Sequence, residues 1–73
     1  MKLPQISAEE LISFLKKNGF EEIRQRGSHK YLRHPDGRAT VVPIHHGRDI
    51  GKGLLRKILN EIEIEREEFL RQL

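Results

Sequence analysis

The hydrophobic period of this chain changes twice, and the two changes fix the kind of fold it can adopt. Leu11, Ile12 and Leu15 recur at helical spacing, with Phe14 widening the apolar stripe. Between Phe20 and Val42 the helical period disappears, and short runs of strand-forming residues are separated by turn residues. Ile50, Leu54, Leu55, Ile58, Leu59 and Ile62 then restore a helical stripe. The order is helix, three strands, helix: an α+β chain.

The borders of these segments carry their own signals. Ser7-Ala8-Glu9-Glu10-Leu11 reads as a capping box, with Ser7 at the N-cap and Glu10 at N3. Ile6 and Leu11 flank it as a hydrophobic staple. Asn18-Gly19 ends the helix, roughly 7–18, with Gly19 in the left-handed position and Phe20 folded back on Leu15. Asp49 is the expected N-cap of the second helix, and Gly51 and Gly53 in its first turn lower its intrinsic propensity. Close approach of a strand, or of a ligand phosphate, would account for them. Ile64, Glu65, Glu68 and Phe69 occupy N′, N-cap, N3 and N4 of a short third helix, where glutamate is a poorer cap than serine.

The expected strands are 20–26, 29–34 and 39–42, arranged as an antiparallel meander. Gly27-Ser28 breaks the first from the second, and Pro35-Asp36-Gly37-Arg38 is the turn between the second and third. Pro43 marks a strand end or an edge. Tyr31 and Leu32 are adjacent and compete for the buried side, so the pattern alone leaves the faces open. A sheet with helices on one face is, by analogy, the architecture of double-stranded-RNA-binding domains.

Seventy-three residues make one domain, 1–73, with a thin core and no deep catalytic cavity. The absence of cysteine excludes a disulfide scaffold, a thiolate metal site and a cysteine nucleophile. No apolar run is long enough to span a membrane, and the opening MKLPQIS has no signal-peptide core. The net charge of +3 conceals a marked asymmetry: residues 24–57 hold nine Lys and Arg against Asp36 and Asp49. A concentrated positive segment fits a polyanion such as nucleic acid; it also fits a solvated surface. Within it, Lys52 and Arg56 share one face of the second helix and Lys57 follows. Together with the free amides of the helix start they form a candidate phosphate site.

His29, His34, His45 and His46 supply the proton chemistry. An imidazole accepts and donates protons near neutrality. Cleavage of an RNA phosphodiester needs a base for the 2′-hydroxyl, an acid for the leaving 5′-oxygen, and cations for the charged transition state. A zinc site would need three or four ligands, and the spacing of these histidines matches no metal motif, so no metal ligand is assigned.

Asn18-Gly19-Phe20, Arg26-Gly27-Ser28-His29, Pro43-Ile44-His45 and Gly53-Leu54-Leu55-Arg56-Lys57-Ile58-Leu59, in this order and spacing, resemble the HicA toxin family of bacterial and archaeal toxin–antitoxin modules. The resemblance runs from Leu3-Pro4 to Glu67-Glu68-Phe69-Leu70. It implies a double-stranded-RNA-binding-domain-like fold, α-β-β-β-α with a three-stranded antiparallel sheet, to which the residue pattern adds a short C-terminal helix. It also implies a metal-independent endoribonuclease, an mRNA interferase, that cleaves messenger RNA to arrest translation, and a cognate HicB-like antitoxin. The family's catalytic histidine stands in the glycine–serine–histidine block and is His29 here. His45 matches a position that is often histidine in the family, and His46 stands where glycine is commoner. The residues expected to contact RNA are Arg24, Arg26, Ser28, Lys30, His45, Lys52, Arg56 and Lys57. The expected setting is the cytoplasm, with RNA and the antitoxin as partners, no membrane and no cofactor. The competing reading is a non-catalytic double-stranded-RNA-binding or adaptor domain, in which His29 only stacks or hydrogen-bonds.

Overall fold

A computed structural model describes residues 2–73. The chain runs β1 (Ile6–Ser7), α1 (Ala8–Lys17), β2 (Glu21–Arg26), β3 (His29–Arg33), β4 (Ala39–Pro43), β5 (Asp49–Ile50), α2 (Lys52–Glu61) and α3 (Arg66–Gln72). Strands β2, β3 and β4 form an antiparallel sheet with β3 in the centre, and β1 pairs with β5 as a separate two-residue ladder. The expected α+β layout, helix, three-stranded meander, helix and short third helix, is the observed one. No helix among the described residues is long and apolar enough to cross a membrane.

The first helix begins and ends as its sequence dictates. The Ser7 hydroxyl accepts the Glu10 amide at 3.1 Å, and the Glu10 carboxylate accepts the Ser7 amide at 3.0 Å. These bonds hold the Glu10 carboxyl below the usual carboxylate range, the Ser7 amide being the larger influence. At the other end Gly19 takes φ +91°, and the amides of Phe20 and Gly19 return to the carbonyls of Leu15 and Lys16. A Cβ at Gly19 would come within 2.8 Å of His34 Nε2, so both φ and space demand glycine. Helix α2 ends in the same motif, with Glu63 at φ 56° in the place Gly19 holds after α1. In α3 the Glu65 side chain makes no capping bond, as expected of a poor cap, while Phe69 is fully buried.

The start of α2 corrects one expectation. Asp49 is not its N-cap: Asp49 and Ile50 pair with Ser7 and Ile6 as β5, and Gly51 takes the cap position without a side-chain bond. Ile50 is buried in the core from this strand rather than from the helix stripe. Burying two facing isoleucines favours the pairing, and the glycines weaken any earlier helical turn. No strand approaches Gly51 or Gly53, because a Cβ at either would meet nothing within 4 Å.

The core lies between the helices and one face of the sheet. Leu32, Thr40 and Val42 point inward from β3 and β4 against Leu11, Leu15, Leu55 and Ile58. Leu32 therefore wins the inner position and Tyr31 faces out. The buried Thr40 hydroxyl donates to Glu61 at 2.7 Å, and Arg38 Nη1 donates to the Ile62 carbonyl at 2.6 Å. These contacts fix the C-terminus of α2 beside the start of β4. A helix of this length is about 15 Å long, so its N-terminus is carried toward the Pro43 end of the same strand.

Candidate nucleic-acid interface

The outer face of the sheet is where three of the nine expected site residues, Arg24, Arg26 and His29, meet. Gly27-Ser28 is a two-residue hairpin turn, with Gly27 at φ 58° and Arg26 paired with His29. A glycine with positive φ in the first central position suits the right-handed twist of the flanking strands. His29 is thereby the first residue of β3, held at the sheet end and exposed. It alternates with Tyr31 on the outward side, about 7 Å along the strand. The His29 ring makes no hydrogen bond or ion pair among the described residues.

A β-bulge decides which side chains share that face. Glu22 pairs with Leu32 but Arg24, not Ile23, pairs with Tyr31. The extra residue shifts the alternation of β2 by one. Without it Arg24 would fall on the same side as Glu22, facing the helices. With it, Arg24 lies opposite Tyr31, Arg26 opposite His29, and both point outward. Arg24 holds its guanidinium 5.7 Å from the Tyr31 ring centroid. Neither Arg24 nor Arg26 makes an ion pair among the described residues. Arg24, Arg26, His29, Tyr31 and Val41 together line a small depression of about 150 Å³. Sites that enclose a small molecule run to roughly 300–1,000 Å³, so this one offers a surface rather than a chamber.

The other expected residues are distributed differently. Lys30 pairs with the buried Val42 and so belongs to the inner side, where it holds Glu22 at 3.1 Å. That bond keeps the Glu22 carboxyl below its usual range. Ser28 is half-buried; its carbonyl accepts the Ile44 amide at 2.6 Å, and its hydroxyl makes no bond to the His29 ring. The Ile44 bond draws the following loop to the His29 end of the sheet. There His45 through Arg48 form a turn closed by Arg48 N–H on the His45 carbonyl at 3.1 Å, with Gly47 at φ 78°. His45 is exposed at this end, and His46 borders a cleft with Lys30, Glu9 and Ile12 instead. Lys52, Arg56 and Lys57 are exposed on the helix layer, on the far side of the sheet from Tyr31. The basic segment is thus split between two surfaces that meet at one end of the molecule.

His34 belongs to the opposite end of β3 and to the fold. It packs edge-on against Phe20 with ring centroids 5.2 Å apart, and Asp36 meets its Nδ1. Arg38 lies over the same Phe20 ring at 5.2 Å and pairs with Asp36. Among the described residues no group of three or more His, Asp or Glu is placed to hold a metal ion.

Tyr31, Val41 and Ile23 are the residues of this face that sequence reading missed. Val41 is 40% exposed and Ile23 52%, unusual for side chains of their kind in strands. Their signal is the alternation itself, readable once Leu32 is assigned to the inside.

No curated protein matches the chain. The family model of the HicA toxin of bacterial toxin–antitoxin systems matches residues 8–64, which run from the first residue of α1 to the segment before α3 and take in the whole sheet. On that match, over most of its length, the chain belongs to the HicA toxin family.

Proposed function

We propose that this toxin is a metal-independent endoribonuclease that cleaves messenger RNA on the outer face of its sheet and so arrests translation. One observation carries the reading: the bulge at Ile23 turns Arg24 and Arg26 onto the side of His29, where neither has a carboxylate partner. In this reading the arginines hold the scissile phosphate and offset the charge that builds on it. His29 moves the proton, as base toward the 2′-hydroxyl, as acid toward the leaving 5′-oxygen, or as both in turn. Ser28 and His45, at the same end, reach the flanking backbone, and Lys52 at the start of α2 extends the basic track around the edge. Lys30 is engaged with Glu22 and stands outside this surface.

A toxin–antitoxin module supplies a cognate antitoxin, and we assign it as HicB-like and made with the toxin in the cytoplasm. The basic face calls for an inhibitor that is acidic or polar where it meets Arg24 and Arg26. Covering His29 with a standard interface of about 800 Å² on each partner would also cover the arginines, so antitoxin and RNA compete. Simultaneous, undiminished binding of antitoxin and uncleavable RNA would rule out occlusion.

The deciding experiment compares wild type with His29→Ala on RNA in the presence of EDTA. Wild type cuts and halts growth; the variant, equally folded, does neither. Equal cleavage by both would remove His29 from the chemistry. A second reading has one observation in its favour: among the described residues no second acid–base group is bonded to the His29 ring. In that reading the protein binds RNA without cutting, and folded wild type retains RNA uncut.

A further inference from the structure

We propose that Tyr31 is a stacking platform for an unpaired RNA base, and that the toxin therefore takes its substrate single-stranded at the point of cleavage. The inference rests on the outer face being the RNA surface, as argued above, and adds what kind of RNA that surface accepts.

Four observations support it. Tyr31 is at the centre of the sheet, on β3, and its ring lies on the uncovered side between Arg24 on β2 and Val41 on β4. Val41 and Ile23, on the strands either side of β3, are the most exposed large apolar side chains of the sheet, and Val41 lines the depression with the ring. The surrounding charges are arginines without ion-pair partners, which complements a polyanion. Finally, the depression is small, about 150 Å³, which suits a flat ring lying over it better than a whole ligand enclosed within it.

The chemistry of the two forms of RNA separates the alternatives. A duplex presents phosphates and hydroxyls to a protein but keeps its base faces stacked on one another. Only an unpaired base has a face to lay on a tyrosine, and such stacking tolerates any base identity. The Arg24 guanidinium over the ring is held by a weak exposed cation–π contact. An incoming base can take its place, leaving the arginine to reach the adjoining phosphate. His29, two residues back on the same face, then stands near the phosphate beside the stacked base. The order of elements suggests a double-stranded-RNA binder; the side chains on the exposed face point to a single strand.

The test measures binding of the wild-type toxin to three probes. These are a single-stranded RNA oligonucleotide made uncleavable by 2′-O-methylation, the same oligonucleotide with one abasic position moved along it, and a duplex of the same length. Tyr31→Leu, which keeps an apolar residue on the face, weakens single-strand binding by roughly 5- to 100-fold, the range of one lost base stack. Tyr31→Phe restores it. Duplex binding changes by less than about twofold, since no base face is offered. One abasic position weakens wild type by a similar factor and leaves Tyr31→Leu unaffected, as expected if ring and base are partners. Unchanged single-strand affinity in Tyr31→Leu, equal losses on single strand and duplex, or an abasic series with no sensitive position would each overturn the proposal. If wild type nonetheless cleaves unmodified RNA, only the stacking role has failed. If wild type neither binds nor cleaves RNA, the endoribonuclease reading has failed with it.

Discussion

The two faces of the three-stranded sheet are built from alternate residues of the same strands and obey different rules. Lys30 and Leu32 look toward the helices; His29, Tyr31 and Arg33 look away. On the inner side polar groups are answered: Thr40 by Glu61, Lys30 by Glu22. On the outer side Arg24, Arg26 and His29 have no such answer, and Val41 and Ile23 stay open to water. Folding alone gains little from an exposed, uncompensated face. The fold accounts for the inner face; under the proposed function a partner accounts for the outer one.

This contrast makes the two faces separable by mutation. The largest effect is expected from His29→Ala: cleavage falls by about 10²–10⁴-fold, the range for losing a general acid–base group, while stability moves by less than about 0.5 kcal/mol. Rate assays paired with thermal denaturation check both halves, and a drop in stability matching the drop in rate would break the comparison. Leu32→Ala, on the next but two residue of the same strand, does the reverse. It costs about 2–5 kcal/mol, a large part of what so small a chain has, and lowers Tm without touching the outer surface. Activity per folded molecule, measured below the new Tm, stays at the wild-type level.

Smaller effects sharpen the map of charge. Replacing Arg24 and Arg26 by glutamine lowers the log–log salt slope of single-strand RNA binding by about 0.7 for each phosphate contact removed. Replacing Lys52, Arg56 and Lys57 by glutamine keeps α2 intact and flattens the slope less, because only its N-terminus approaches the His29 end. A larger change from the helix set would move the RNA to the helix layer. The smallest effect is on the inner edge. The Lys30 ammonium lowers the folded-state pKa of Glu22 from its ordinary 4.5. The pair's contribution is therefore fully present above pH 4.5 and is lost as pH falls through the depressed folded value. Glu22→Gln makes the acid limb of the stability curve shallower, and an unchanged limb in urea titrations would show the pair to be without weight.

Much of the fold could be read before the structure, because its signals are local. The capping box at Ser7, the Asn18-Gly19-Phe20 stop and the Pro35-Asp36-Gly37 turn each span a few residues and act on their own backbone. Asp49 departs from the expected cap because β5 owes its existence to Ile6, far away in the chain, and a two-residue pairing leaves no periodic trace. The site was legible in part for the same reason. Gly27-Ser28-His29 is a local turn, and its placement of His29 follows from the sequence. The facing of Arg24 and Arg26 depends on the bulge, which strand propensity does not reveal, and that of Tyr31 on Leu32 taking the buried side. Lys30 lies beside those residues in sequence and across the sheet from them in space.

The bulge in β2 has a further consequence for how the toxin behaves on its own. Strand β2 is an edge of the sheet, and every one of its residues is exposed. An edge this long would ordinarily invite a strand from another chain, whether a second toxin, an unfolding neighbour or a growing aggregate. Here the ladder is interrupted at Ile23, and Glu21, Glu22, Arg24 and Arg26 crowd the rest with charge. Strand addition is a poor way to grip such an edge. The same edge disfavours strand pairing between copies of the toxin, and an antitoxin that covers this side, as proposed, would hold it through side chains rather than by lending a strand.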